Sequence, residues 1–523
     1  MSREISSAEV RLDLIARREI ALLDVREEDP FAKGHPLFAA NLPLSRLELK
    51  VFDRLPRRDV KIVVYDDGEG LAGPAVQRLS ALGYSQVHAL EGGLQGWIRA
   101  GYELFQDVNS ASKAFGELVE ARRHTPSLPA PDAKALIESR ADVVVLDARR
   151  FDEYQTMSIP TGVSVPGAEL VLRARALAPD PKTTVIVNCA GRTRSLIGAQ
   201  SLINAGLPNK VFALRNGTIG WTLAGQALEQ GQNRRYGEAG LEVEAEARVK
   251  AREVAYRAGV KWVDWPGLAA LLADPSRTLY RFDVRQPDEF EAGHPPGFLN
   301  APGGQLVQET DHAAPVRGAR IVLADPKGAR ADMTASWLAQ MGWEVYVLEA
   351  ADAAFRETGP ARPSRPEPPA AKTIGVDELA SRLERNALTV LDLGSSRLHR
   401  RGHIPGARFA IRARLAAEIG AIAHQTLALT SPDGALARFA APEVERLTGA
   451  PPLVLEGGTA AWIAAGQPLQ TGFDSALSAP EDTYRRPYEG TDNGPAAMQA
   501  YLDWEFGLVD QLARDASHGF YVI

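Results

Sequence analysis

The sequence predicts an α/β protein of four tandem units, each a mainly parallel sheet with helices on both faces. The first observation is repetition, because an apolar run ending in aspartate occurs four times, at Asp24, Asp147, Asp283 and Asp392. A second apolar run follows each of these and ends at Asp66, Cys189, Asp325 and Ser431. The two ends are 42 residues apart in the first three copies and 39 in the fourth. Order and spacing this regular indicate a repeated structural unit.

Two further observations support parallel sheets. A third landmark, an apolar run followed by small residues and an aromatic one, closes each copy at Trp97, Trp221, Phe355 and Trp462. Between the apolar runs lie segments such as residues 72–82, whose apolar positions recur about every 3.6 residues and predict helices. In an open sheet of alternating strands and helices, ligands bind where strands end. Cys189 ends such a strand.

The landmarks and the composition between them set the expected boundaries. Repeats one to four are expected at residues 1–107, 124–230, 258–358 and 370–470, followed by a tail at 471–523. Residues 231–257 are charged and helix-prone, which predicts a helical spacer, and the proline-rich residues 359–369 predict a stiff connector. The tail contains an amphipathic stretch, residues 496–512, apolar enough to pack on a domain or on a second copy of the chain.

Composition narrows the class of protein. The 523 residues carry 59 basic and 66 acidic side chains, a net charge of −7, so no bulk attraction to nucleic acid or anionic membrane is expected. One cysteine allows no intramolecular disulfide, which fits a reducing compartment. Neither a signal-peptide core nor a bilayer-length apolar run is found, and the nine histidines show no metal-ligand spacing. We therefore expect a soluble cytoplasmic protein without a metal or organic cofactor.

The loop after the second strand of repeat two carries the chemistry. It reads Cys-Ala-Gly-Arg-Thr-Arg-Ser, residues 189–195, between an apolar strand and a helix-like stretch. A helix N-terminus and two guanidinium groups, of Arg192 and Arg194, are expected to lower the pKa of the Cys189 thiol and to bind an anion. The alternative is a structural buried cysteine, which has no use for two neighbouring arginines.

These motifs resemble the rhodanese (sulfurtransferase) family over about residues 1–470, as four tandem domains. The family turn Gly-His-Ile-Pro-Gly-Ala is intact at 402–407, and repeat three has Gly-His-Pro-Pro-Gly at 293–297. Repeat two departs from this turn at residues 157–162. It also has Arg-Asn-Gly at residues 215–217, where the family has Glu-Gly-Gly. The resemblance implies that Cys189 is the nucleophile that carries sulfane sulfur as a persulfide. It also implies a binding loop formed by Ala190, Gly191, Arg192, Thr193, Arg194 and Ser195.

Loop length and charge refine the expected reaction. From Cys189 to Arg194 the loop has six residues, as in the sulfurtransferases, whereas related phosphatases and arsenate reductases have one residue more. Its basic character favours thiosulfate as the small anionic donor, with mercaptopyruvate or an organic persulfide as alternatives. The acceptor, a thiol or a protein cysteine, is left open. A second class of function, a persulfide or anion sensor or sulfur carrier without turnover, is also left open.

The other repeats are expected to be inactive, because Asp66, Asp325 and approximately Ser431 stand where repeat two has its thiol. Asp147 and Arg149 are interpreted as a strand–loop junction, since they recur in repeats that lack the cysteine. Glu169 is assigned to capping or packing rather than to catalysis.

Overall fold

The computed structural model describes residues 3–350, 352–362, 364–422 and 426–523. Outside the described residues lie the N-terminal Met1 and Ser2, Ala351 in the third landmark of repeat three, Pro363 in the proline-rich connector, and residues 423–425. The strands are β1 Arg3–Ile5, β2 Ile20–Asp24, β3 Ala40–Asn41, β4 Lys61–Tyr65, β5 Val87–Leu90, β6 Ser127–Leu128, β7 Val143–Asp147, β8 Val163–Ser164, β9 Thr184–Asn188, β10 Val211–Leu214, β11 Lys261–Val263, β12 Leu279–Asp283, β13 Leu299–Asn300, β14 Val316–Arg317, β15 Arg320–Ala324, β16 Glu344–Leu348, β17 Lys372–Ile374, β18 Thr389–Asp392, β19 Arg408–Phe409, β20 Leu427–Thr430 and β21 Leu453–Leu455.

The helices alternate with these strands. They are α1 Ser7–Ile15, α2 Glu28–Lys33, α3 Leu47–Arg54, α4 Ala72–Ala81, α5 Gly93–Arg99, α6 Ser110–Arg123, α7 Ala130–Glu138, α8 Phe151–Thr156, α9 Leu170–Leu177, α10 Thr193–Asn204, α11 Gly217–Leu223, α12 Leu241–Arg257, α13 Trp265–Ala273, α14 Pro287–Ala292, α15 Gly303–Gln308, α16 Thr310–Ala313, α17 Ala329–Gln340, α18 Val376–Glu384, α19 Ser396–Arg401, α20 Leu415–Glu418, α21 Ala435–Thr448, α22 Gly458–Ala464, α23 Pro495–Phe506 and α24 Leu508–Asp515. None of the helices in the described segments is both long and apolar enough to cross a bilayer.

The four sheets share one topology, which confirms the predicted fold class. Their strand orders are β1-β5-β4-β2, with β3 on β2; β6-β10-β9-β7-β8; β11-β16-β15-β12-β13; and β17-β21-β20-β18-β19. Pairing within each of these sets is parallel. In repeat two, β9 lies between β10 and β7, and its residues Val185, Ile186 and Val187 are fully buried. A run of β-branched residues buried on both faces is typical of a central parallel strand.

The repeats are joined more closely than a linear array would require. Strand β14, from repeat three, pairs antiparallel with β2 of repeat one, with Val316 opposite Ala21. The two repeats share one hydrophobic core, which Leu508 and Leu512 of the tail helix α24 also enter. Helix α12 lies where a spacer was predicted, but its buried residue Ala251 packs in the core of repeat two beside Met333 of α17. Because α24 enters the shared core of repeats one and three, the tail packs on its own chain.

The loops of repeats one and three bind their own carboxylates. The Asp66 carboxylate accepts hydrogen bonds from the backbone N–H groups of Gly68 (3.1 Å) and Ala72 (3.0 Å), as well as from that of Leu71. Asp325 accepts from the backbone N–H of Lys327 (3.2 Å) and of Arg330 (3.0 Å). A carboxylate that saturates the donors of its own loop leaves them unavailable to an external anion.

Arg330 is expected to be a major stability determinant. Its fully buried guanidinium pairs with Asp325 at 2.9 Å, with Glu169 of repeat two at 2.8 Å and with Glu289 at 2.7 Å. Arg330→Met leaves the buried Asp325 carboxylate without a counterion, so the free energy of unfolding should fall by about 3–5 kcal/mol. Arg382→Met is the control, because Arg382 pairs only with Glu378 on a partly exposed helix face. Urea unfolding midpoints that fall equally in both variants would contradict this role.

Candidate functional site

Cys189 follows β9 directly and is 2% exposed. The loop that contains it is held to α11, since the carbonyls of Cys189 and Ala190 accept hydrogen bonds at 3.0 Å from the backbone N–H groups of Thr218 and Ile219. Gly217 has φ +54°, and a Cβ added to it would lie 2.3 Å from the Cys189 carbonyl oxygen. The small residues of the third landmark thus allow α11 to approach the cysteine loop.

The loop presents free backbone donors at the start of α10, whose N-cap is Arg192. Among the described residues, no hydrogen-bond acceptor lies within range of the backbone N–H groups of residues 190–194. At the corresponding positions of repeats one and three, the N–H groups of Gly68 and Leu71 donate to Asp66, and those of Lys327 and Arg330 donate to Asp325. Unsatisfied N–H groups at a helix N-terminus are the arrangement that binds an anion.

Arg192 does not lie where the sequence predicts. Its Nε and Nη2 atoms each donate to the Glu117 carboxylate at 2.8 Å, and it also pairs with Glu120. A third donor reaches Asn216 Oδ1 at 3.1 Å, and the guanidinium carbon lies 4.2 Å from the centre of the Phe506 ring. Two carboxylates already neutralise the charge of Arg192, and its predicted contact with the donor anion stays a prediction.

Arg194 is the arginine that faces the thiol. It donates from Nη1 and Nη2 to the two carboxylate oxygens of Glu153, at 2.8 Å each. Burial raises the pKa of Glu153, but Arg194 outweighs burial and lowers that pKa to about 2. The fixed ion pair holds the guanidinium where its charge favours the Cys189 thiolate over the thiol.

The pKa of Cys189 is raised in this structure, whereas the sequence predicts that it is lowered. Burial raises the pKa of the Cys189 thiol, and the opposing effects of Arg194 and of hydrogen bonding by Ser195 do not cancel it. The charge of Glu505 raises it further. The loop sequence shows the two arginines but not the helix that covers the loop. It therefore does not predict the loss of solvation that raises the pKa of Cys189.

That cover is the tail helix α23. A Cβ added to Gly191 would lie 3.1 Å from Tyr501 Cε1 and 3.2 Å from Glu505 Oε2. Glu505 Oε1 accepts hydrogen bonds from the Tyr501 hydroxyl at 2.7 Å and from Thr193 Oγ1 at 3.4 Å. Within the described chain, Glu505 Oε2 is buried without a hydrogen-bond partner. The tail thus places a carboxyl group directly on the cysteine loop.

Helix α6, between repeats one and two, contributes a buried cation to the same place. Lys113 is 1% exposed and pairs with Asp107 at 2.9 Å. Its ammonium nitrogen lies 5.0–5.5 Å from the centres of the Tyr488, Tyr501 and Trp504 rings. Sequence reasoning missed α6, although Lys113 and Glu117 stand four residues apart in residues 110–119, which are otherwise small or apolar.

A large cleft opens beside Arg194. It has a volume of about 1010 Å³ and lies between repeat two, helix α19 of repeat four and residues 480–490 of the tail. We call it the arginine cleft, because eight arginines line it: Arg149, Arg150, Arg194, Arg397, Arg400, Arg401, Arg485 and Arg486.

The predicted structural residues behave as expected. Asp147 and Arg149 form a buried ion pair at 2.7 Å, and the equivalent pairs Asp24–Arg26 and Asp283–Arg285 have the same distance. Glu169 is fully buried and paired with Arg173 at 3.0 Å as well as with Arg330. These groups brace strand ends and repeat interfaces.

Four parallel sheets of one topology, with a lone cysteine in an anion cradle at a strand end, define the class. The family model for the rhodanese-like domain matches residues 7–100, 130–224 and 267–356, more than half of the chain. The chain belongs to the rhodanese family. Repeat four lies outside the matched segments, yet its sheet has the strand order of the other three.

Individual relatives extend this result. The crystal structure of a thiosulfate sulfurtransferase from Pseudomonas aeruginosa is 59% identical, with 100% of both chains covered and a TM-score of 0.99. A thiosulfate sulfurtransferase from Azotobacter vinelandii is 26% identical over 199 residues, which are 34% of this chain and 72% of that protein. The uncharacterized protein YqhL from Bacillus subtilis is 35% identical over 80 residues, 15% of this chain and 62% of that protein's length.

The raised pKa of Glu505 predicts that docking of the tail depends on pH. Burial, assisted by Glu117, raises the pKa of Glu505 to about 8. A raised carboxyl pKa means that the stability contributed by the protonated group is complete below the unfolded-state pKa of about 4.5 and is lost as pH rises through about 8. Glu505→Gln stays neutral, so its advantage over the wild type in the free energy of opening α23 should grow between pH 5 and pH 9 by on the order of 4 kcal/mol.

Hydrogen exchange of the α23 amides at the two pH values measures this difference. Asp503→Asn is the matched control, because Asp503 lies on the exposed face of the same helix. If Glu505→Gln and Asp503→Asn respond alike to pH, the tail is not held by a neutral carboxyl.

Proposed function

We propose that this chain is a thiosulfate sulfurtransferase that carries sulfane sulfur as a persulfide on Cys189. The observation that carries the proposal is the cysteine in a loop whose backbone N–H groups, at residues 190–194, make no hydrogen bond to the described residues, with the charge of Arg194 beside it. The full-length similarity to the Pseudomonas aeruginosa thiosulfate sulfurtransferase supports the choice of donor.

The proposed reaction has two steps. The Cys189 thiolate attacks the outer sulfur of thiosulfate, the sulfur–sulfur bond of the donor breaks, and sulfite leaves with the bonding electron pair. A thiophilic acceptor then attacks the outer sulfur of the persulfide, and the electron pair of the broken bond returns to Cys189 Sγ. Atoms and electrons balance without a further reactant.

The residues of the loop have distinct tasks in this scheme. The free N–H groups of residues 190–194 hold the terminal sulfur of the persulfide, which is anionic. Arg194 stabilises the thiolate and attracts the sulfonate group of the donor. Burial raises the pKa of the thiol, and the thiol proton passes to solvent as the donor enters. Arg192 positions the loop through Glu117 rather than contacting the donor.

The remaining repeats have structural tasks in the same proposal. The cradles of repeats one and three are filled by Asp66 and Asp325, and neither side chain can carry a sulfane sulfur. Repeat four has Ser431 at this position, and its hydroxyl accepts a hydrogen bond from the Ala437 N–H at 3.2 Å. We place the enzyme in the cytoplasm, where its unpaired cysteine stays reduced.

Steady-state formation of thiocyanate from thiosulfate and cyanide tests the proposal. We expect saturable turnover with thiosulfate and release of one sulfite for each thiocyanate. Turnover with mercaptopyruvate or glutathione persulfide but not with thiosulfate would show that the donor is wrong. Sulfur loading without any turnover would favour the alternative function, a sulfur carrier or persulfide sensor.

A further inference from the structure

We infer that the arginine cleft binds the sulfur acceptor, and that this acceptor is a small thiol with at least two carboxylates. The inference rests on the proposed sulfur transfer at Cys189 and names the second substrate of that site. It also gives repeat four, which has no thiol of its own, a part in the reaction.

The position of the cleft is the first argument. On the side of repeat two it is lined by Arg194, whose guanidinium acts on the Cys189 thiol, together with Met157 and Tyr488. On the side of repeat four it is lined by Arg400 and Arg401 at the end of α19. A molecule in the cleft therefore has the loop of the nucleophile at one end and repeat four at the other.

The size of the cleft is the second argument. At about 1010 Å³ it far exceeds what thiosulfate or cyanide requires. Sites for drug-sized ligands have volumes of roughly 300–1,000 Å³. The volume suits a ligand of the size of a short peptide, which reaches from Arg194 of the cysteine loop to repeat four.

The charge of the cleft is the third argument. Eight arginines line it against five carboxylates, those of Asp29, Asp152, Glu153, Glu309 and Glu489, in a chain whose overall charge is −7. Six of the eight are paired with carboxylates: Arg149, Arg150, Arg194, Arg397, Arg485 and Arg486. A local excess of cations in an acidic protein selects an anionic ligand.

Two of the arginines are available to that ligand. Within the described residues, Arg400 and Arg401 form no ion pair shorter than 4.0 Å. Arg400 rests over the Phe473 ring at 4.7 Å, which holds its guanidinium in place without neutralising it. Each guanidinium can bind one carboxylate through two parallel hydrogen bonds. Two free guanidinium groups thus indicate a ligand with two carboxylates.

In the transfer step the acceptor thiolate attacks the outer sulfur of the Cys189 persulfide. The bond between that sulfur and Cys189 Sγ breaks, its electron pair stays on Sγ, and the acceptor leaves as a persulfide. Arg400 and Arg401 hold the carboxylates and take no part in bond making, so they determine acceptor binding and not the loading of Cys189.

The test compares two thiols as acceptors, glutathione with two carboxylates and 2-mercaptoethanol with none. In the variant Arg400→Ala/Arg401→Ala we expect the KM for glutathione to rise at least about tenfold, because two charge-assisted contacts are lost. The KM values for 2-mercaptoethanol and for thiosulfate should not change. The matched control is Arg382→Ala/Arg385→Ala, which changes an arginine on α18 of repeat four and the arginine at its C-cap, neither of which lines the cleft.

A binding measurement separates this inference from the proposed function. S-methylglutathione keeps both carboxylates but has no reactive thiol, so calorimetry reports its binding whether or not Cys189 accepts sulfur. We expect one molecule bound per chain and a Kd at least about tenfold weaker in Arg400→Ala/Arg401→Ala, as for the loss of two charge-assisted contacts. Absence of binding to the wild type, or an unchanged Kd in the variant, overturns the inference. Failure of thiosulfate to load Cys189 overturns the proposed function instead.

Discussion

Cys189→Ser is expected to lower the rate of sulfur transfer from thiosulfate to cyanide by at least about 10⁴-fold. A serine hydroxyl is not ionised near neutral pH and forms no persulfide, and the sequence has no second cysteine to replace it. The exchange of sulfur for oxygen in a buried side chain is nearly isosteric, so the fold should be kept. Initial rates of thiocyanate formation measure the loss, and circular dichroism checks the fold.

The outcome also tests the assignment of the other repeats. Residual activity of more than about 1% would be far above that expected without a nucleophile. It would mean that a repeat with Asp66, Asp325 or Ser431 in its loop supports the reaction. A background of the same size in a heat-denatured sample would assign it to solution chemistry.

Arg194→Gln is expected to produce the second-largest effect. Loss of the guanidinium removes the charge that favours the thiolate and attracts the donor, so kcat/KM for thiosulfate should fall by about 10²–10³-fold. The pKa of Cys189 should be higher in this variant than in the wild type, because the charge of Arg194 makes the largest contribution that lowers this pKa. The rate of Cys189 alkylation as a function of pH reports this shift at a single site.

Two variants separate this role from general destabilisation. The double variant Arg194→Gln/Glu153→Gln leaves no unpaired buried charge, so it should recover stability but not activity. Arg192→Gln should lose stability, because Glu117 is left buried and unpaired, while its KM for thiosulfate stays within about twofold of the wild-type value. If Arg192→Gln weakened donor binding as much as Arg194→Gln, the assignment of the two arginines would be reversed.

The sequence predicts most of the fold because local signals and repeat spacing agree. The buried strand β9 follows from the run of Thr-Val-Ile-Val before Cys189, and α12 follows from the charged helix-forming stretch at 231–257. The antiparallel pairing of β14 with β2 could not be predicted, since it joins residues almost 300 positions apart through a two-residue edge strand. Contacts of this kind depend on how whole repeats pack, which no local pattern encodes.

The site divides in the same way. The position of the cysteine between its strand and its helix follows from neighbouring residues, while anion binding by the loop stays a prediction. The positions of the arginine side chains do not, because the partners of Arg192 come from α6 and the cover over Gly191 comes from α23. The closed site raises the pKa of Cys189 through burial, which opposes the effect expected from the loop alone. The pKa of Cys189 is therefore set mainly by burial under residues distant in the sequence, which the charges of the loop alone do not predict.

The most direct test of the central claim is the intact mass of the protein after incubation with thiosulfate alone. The account predicts a gain of one sulfur atom per chain, the release of one sulfite, and the return of the original mass when cyanide is added. The same treatment should leave the mass of Cys189→Ser unchanged. A wild-type protein that turns thiosulfate over without gaining sulfur, or a Cys189→Ser protein that gains it, would contradict a persulfide on Cys189.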